Sequence, residues 1–102
     1  MGIIQAGIAS QNKEKREAIL QNIAMGLRDE ISLAAKSTSG YAREFLIPEN
    51  ILGASYTINI TENTIFAKMQ NTNVYYEVFN VSGQPKKGGN IIRKENETVY
   101  LN

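Results

Sequence analysis

The chain has 102 residues, 11 Lys and Arg against 10 Asp and Glu, and a formal net charge of +1. That length is one domain with one modest core, and the balanced, dispersed charge gives no footprint for nucleic acid. No histidine or cysteine is present, which removes the commonest general base, disulfides and the thiolate metal sites.

Residues 1–10, Met1 to Ser10, are mostly small or apolar. They fall far short of the ~20 apolar residues of a membrane span. They read either as a cloned, frayed start or as the remnant of a longer hydrophobic helix. Five consecutive charges, Lys13 to Glu17, then end any burial in lipid.

Periodicity predicts one long helix over 11–37. Leu20, Ala24, Leu27, Ile31 and Ala34 are spaced 4-3-4-3, which places them on one stripe that Ile23 and Ala35 widen. Ile19, Gly26 and Leu33 recur every seven residues on a second line, roughly 100–140° from the first. Ile8 falls near this line if the helix reaches back that far. A helix on one sheet needs one stripe, so the second is a candidate assembly stripe, expected to stay exposed in the isolated molecule. Gly26 costs about 1 kcal/mol relative to alanine in a helix interior, and its lack of a side chain permits a close helix–helix approach. Gly40 suits the left-handed position past the helix end.

From residue 41 to 102 the chain reads as short strands. Arg43–Ile47 is extended and stopped by Pro48, and Glu49, Asn50 and Gly53 make a turn. Ser55–Thr61 alternates, with Tyr56, Ile58 and Ile60 on one face. Glu62-Asn63 suits a two-residue hairpin loop, which pairs Ile60 with Ile65, Ile58 with Ala67 and Tyr56 with Met69. A second loop at Asn71-Thr72 would pair Met69 with Val74, Ala67 with Tyr76 and Ile65 with Val78. Ser82–Gly89 reads as a flexible loop, without the Gly-Lys-Ser/Thr ending of a phosphate-binding loop. Asn90–Lys94 and Thr98–Leu101 form a last hairpin in which Ile92 faces either Val99 or Leu101. The expected fold is α+β: the helix packed on a small antiparallel sheet of about 4–5 strands, with a core of Leu20, Leu27, Ile31, Tyr56, Ile58, Ile60, Ile65, Tyr76 and Val78.

The order of parts carries a resemblance. An Ala-containing helix end, Ile31 to Lys36, is followed by Ser39 to Glu49 (SGYAREFLIPE), Ile51 to Ile60 (ILGASYTINI) and Asn90 to Asn102 (NIIRKENETVYLN). Over residues 11–102 the chain resembles archaeal type IV pilin-like proteins, exported with a class III signal peptide. The family's processing site, and the hydrophobic segment with a glutamate near its start, are not among these residues. The resemblance implies that such a segment anchors the precursor in the membrane and forms the core of a filament after cleavage.

Three N-glycosylation sequons begin at Asn59, Asn80 and Asn96. With 11 Asn, six Ser and six Thr, chance supplies roughly one, so three is mild enrichment. Asn59 lies on the polar side of its strand and Asn96 in a turn. Asn80 has core-face parity at a strand end, so Asn59 and Asn96 are the better acceptors. Tyr75 and Phe79 share a sheet face with Glu77, opposite the core. They read as a binding patch, a subunit contact, or an aromatic ladder beneath the final hairpin.

No catalytic constellation emerges. Asp29 and Glu30 are adjacent and diverge by about 100° on a helix, and Glu44, Glu49 and Glu77 lack the spacing of an acid pair. No run of oxygen ligands resembles a calcium loop, and neither a cofactor nor a metal is expected. The leading expectation is a non-enzymatic, pilin-like subunit of a cell-surface filament, used in adhesion or attachment. Its partners would be further copies or related subunits, through the helix, and the membrane, through the upstream segment. The isolated chain would be a monomer or weak dimer. The alternative is a membrane-anchored extracytoplasmic binding module that does not polymerise, with Tyr75, Phe79 and the Lys86-Lys87 loop as its contact surface.

Overall fold

A computed structural model describes residues 2–70 and 72–102, with side chains from Lys13 onward. The helix α1 spans Gly2–Lys36, and seven strands follow: β1 Ala42–Ile47, β2 Thr57–Thr61, β3 Thr64–Met69, β4 Thr72–Glu77, β5 Val81–Gly83, β6 Gly88–Glu95 and β7 Thr98–Leu101. The architecture is α+β. The strands form two sheets rather than one: an antiparallel β2-β3-β4 meander, and a four-stranded mixed sheet in the order β1-β6-β7-β5. The helix packs against β3 and β4 of the first and β6 and β7 of the second.

The predicted stripe is the core face of α1. Leu20, Ala24, Leu27, Ile31 and Ala34 are buried, together with Ile47, Ile51, Tyr56, Ile60, Ile65, Ala67, Met69, Val74, Ile92, Val99 and Leu101. Ile58, Tyr76 and Val78 are only partly buried against this cluster. The helix begins at Gly2, nine residues before the predicted start at residue 11.

Its C-terminus is closed by two side chains. The Ser37 hydroxyl donates to the Leu33 carbonyl at 2.6 Å. Lys94 of β6 reaches across to donate to the carbonyls of Ala35 at 2.7 Å and Ser37 at 2.8 Å. These carbonyls have no intrahelical partner, and a cation here also opposes the negative end of the helix dipole. Gly40 then turns with φ +99°.

The first hairpin has the predicted register, Ile58 with Ala67 and Ile60 with Ile65. Glu62 and Asn63 both take positive φ, 50° and 63°, as the favoured two-residue hairpin turn requires. The ladder starts at Thr57–Lys68, so Tyr56 precedes it and makes no pair with Met69. The second hairpin is shifted by two residues from the predicted pairing: Met69 faces Thr72, Ala67 faces Val74 and Ile65 faces Tyr76. The turn falls one position earlier, with Gln70 at φ +51°; Asn71 lies outside the described residues. A loop at Asn71-Thr72 would ask β-branched Thr72 to turn, and such residues resist positive φ. Thr72 instead opens β4, and its hydroxyl donates to Glu17 of α1 at 3.1 Å.

The segment predicted as a loop, Ser82–Gly89, holds order of its own. Val81–Gly83 pairs parallel with Val99–Leu101. Gln84 then turns its side-chain amide onto the free edge of β2, accepting from the Ile60 N–H at 2.8 Å and donating to the Ile60 carbonyl at 2.7 Å. One amide thus stands in for a neighbouring strand and joins the two sheets. In the last hairpin, Ile92 faces Leu101.

Tyr56 sits between the turn and the loop, its hydroxyl donating to the Pro48 carbonyl and its ring facing the Lys87 ammonium at 4.5 Å. Burial, and after it the Glu49 carboxylate, pushes the Tyr56 phenol up to about 12. The folded chain therefore holds this proton more tightly than the unfolded chain. The stabilisation is complete below about pH 10 and is lost as the pH climbs toward 12, at up to about 1.4 kcal/mol per pH unit. We expect urea midpoints to fall between about pH 9 and about pH 11.5 more steeply for wild type than for Tyr56→Phe. Equal slopes would show that Tyr56 does not carry the effect.

Candidate functional site

The second helical line is only partly free. Ile19 is half-buried and packs on the core, contrary to the expected exposure of the whole stripe, while Gly26 is exposed and Leu33 is 47% exposed. Two effects explain the gradient. A helix lying against two sheets is covered over a wider arc than one sheet provides. Residues seven apart also drift by about 20° per repeat on a straight helix. Taking the buried stripe as the origin, Ile19 lies at roughly 100°, Gly26 at 120° and Leu33 at 140°, and coverage fades in that order. Ile8 lies outside the described side chains.

Gly26 opens onto a groove of about 180 Å³ between α1 and the end of β1, bounded by Ile23, Glu30, Leu46 and Pro48. No heavy atom lies within 4 Å of where a Cβ at Gly26 would sit. Leu46, on this edge strand, is 82% exposed. A larger open concavity of about 550 Å³ lies between Leu46, Ile91, Glu44 and Lys86. Arg43 is tied back to α1 by an ion pair with Glu30 at 3.2 Å.

The predicted aromatic patch is divided. Tyr75, 58% exposed, stands on the outer face of β2-β3-β4 with its ring edge-on to Phe66, centroids 5.2 Å apart and planes at 84°. Phe79 lies past the end of β4 and borders a different depression, with Arg28 and Ser32 of α1. Neither lies beneath the final hairpin, which belongs to the other sheet. Lys86 and Lys87 also part, the first beside Glu44 and Ile91, the second over Tyr56. The composite surface of Tyr75, Phe79 and the lysine loop is therefore not assembled. Phe66, absent from the predicted patch, is the partner of Tyr75. The signal for it was the strand parity that put Phe66 opposite the core.

The three sequon asparagines are all exposed. Asn59 is in β2, Asn80 in the coil before β5, and Asn96 at the β6–β7 tip with φ +56°. Asn80 thus loses its predicted core parity, because β4 ends at Glu77.

Asn90 is buried and polar. Its carbonyl oxygen accepts from the Lys86 N–H at 2.9 Å and from the Asn102 amide at 2.9 Å, and its amide donates to the carbonyls of Lys86 at 2.7 Å and Gly88 at 3.1 Å. Both donors and both lone pairs are used, so the group braces the loop and has no capacity left for a ligand. Among the described residues no cluster of three or more potential metal-ligating side chains comes together, and no helix is long and apolar enough to cross a membrane. No protein family, curated protein or solved structure matches the chain.

Proposed function

We propose that this chain is a type IV pilin-like structural subunit of an archaeal cell-surface filament, working in adhesion or attachment without catalysis. The observation that carries the reading is the helix. It runs 35 residues, Gly2–Lys36, about 52 Å at 1.5 Å per residue, yet the first described side chain buried in the core is Leu20. The buried stripe, Leu20 to Ala34, thus lies in its C-terminal half. Gly26 and Leu33 leave an uncovered line beside β1, where a neighbouring helix can approach. The β layers would face outward, with the membrane-anchoring segment implied by the resemblance lying upstream.

Ile19 is half-buried against the core, so the test of the stripe substitutes its two exposed members, Gly26→Leu with Leu33→Lys. Removing a helix-interior glycine favours the isolated fold by up to about 1 kcal/mol, and Gly26 has open space around it. The bulk and charge would oppose helix–helix approach. Full-length processed protein should form filaments by electron microscopy, and the double variant should remain dispersed while melting at or above the wild-type temperature. Filaments from both would remove the stripe from assembly. Monomers alone from full-length wild type would sink the filament reading.

A further inference from the structure

The outer face of β2-β3-β4 places a glycosylation sequon directly across from an exposed aromatic pair. Asn59 is in register with Phe66, and Phe66 is in register with Tyr75. The three side chains form one row across the sheet, with neighbouring Cβ atoms about 4.5–5.5 Å apart as cross-strand geometry dictates. Thr61, the hydroxyl residue of the sequon, is two positions along β2 and so on the same face. The row borders an open depression of about 340 Å³ with Thr57 and Lys68 at its rim. We propose that Asn59 is a glycosylation site whose first sugar is seated on Phe66, so that the glycan is part of the sheet's packing.

The chemistry favours this occupant. A pyranose linked to the Asn59 amide presents a face of C–H bonds, and an aromatic ring carries its negative charge on its face. Phe66 and Tyr75 remain 36% and 58% exposed, leaving apolar area for the sugar to cover. Their edge-to-face contact fixes the platform beforehand, so less side-chain freedom is lost when the sugar docks. Thr61 lines the same depression. The proposal shares with the filament reading only the requirement for export. Its failure leaves the assembly test untouched.

The test uses the whole chain with Asn80→Gln and Asn96→Gln, secreted from an N-glycosylating yeast and trimmed enzymatically to one N-acetylglucosamine. The same chain made in a non-glycosylating bacterium is the reference. Mass spectrometry should find Asn59 occupied. Its Tm should exceed the reference by on the order of 3–8 °C, and Phe66→Ala should abolish most of that rise. In the wild-type glycoform, nuclear Overhauser contacts should connect the sugar ring protons to the Phe66 ring, a reading that does not depend on any variant folding. An unmodified Asn59, a rise that survives Phe66→Ala, or absence of sugar–ring contacts would overturn the proposal. So would self-association of the bacterial chain that Phe66→Ala abolishes, which would give this face to a second copy.

Discussion

Leu27→Ala is expected to lower the unfolding free energy by about 2–5 kcal/mol, whereas Ile58→Ala should cost about 1–2 kcal/mol. Both residues were expected in the core from periodicity alone, and the structure separates them. Leu27 lies at the centre of the α1 stripe and is 2% exposed, so its loss leaves a cavity between the helix and the sheets. Ile58 is partly buried on an edge strand of the meander, where solvent can enter the space it leaves. For a domain of this size a loss of 2–5 kcal/mol is a large share of a stability of roughly 5–15 kcal/mol. Urea titration should move the Leu27→Ala midpoint well below that of Ile58→Ala with little change in slope. Equal shifts would mean that α1 does not press on the sheets as described.

The features legible in the sequence were those with a period and a punctuation mark. The stripe from Leu20 to Ala34 repeats at helical spacing and stops before Gly40. The Ile58–Ala67 hairpin alternates cleanly around Glu62-Asn63. The second hairpin was half legible. Moving its pairing by two residues keeps every side chain on its face, so alternation alone cannot choose between the registers. The choice rests on which residues tolerate the turn, and Thr72 is the better strand residue.

The two-sheet arrangement was not legible. It depends on a three-residue parallel pairing of Val81–Gly83 with β7 and on the Gln84 amide at the edge of β2, and neither leaves a periodic trace. That omission propagated to the surface predictions. With one sheet assumed, Ile19 looked free, and Tyr75 and Phe79 looked like neighbours. With two sheets, Ile19 is drawn under cover, and the end of β4 at Glu77 carries Phe79 away toward Arg28 and Ser32. The Phe66–Tyr75 pair depends on the β3–β4 register alone, so a two-residue error was enough to hide it.

Asn90 was the least legible residue of all, one asparagine among 11, and the rest of this composition reads as polar surface. Asn90→Ala is expected to destabilise the chain by about 3–5 kcal/mol, because it strips partners from several buried groups at once. The Lys86 N–H, the carbonyls of Lys86 and Gly88, and the Asn102 amide would all lose a hydrogen bond. Asn90→Asp is the sharper probe. It keeps the shape and the acceptor toward Lys86 and Asn102, but it replaces the donating amide with oxygen facing two carbonyls. A carboxylate there meets repulsion and desolvation, and only its protonated form restores one donor. The Asp variant should therefore unfold at lower urea than wild type near neutral pH, with part of the deficit recovered as the pH falls below about 5. The sign follows from the carboxyl's folded pKa being raised above its unfolded value, which favours the folded state on the acid side. An Asp variant as stable as wild type at neutral pH would show that the two carbonyls do not depend on the Asn90 amide, and that the loop joining the sheets is held by Gln84 and Asn102 instead.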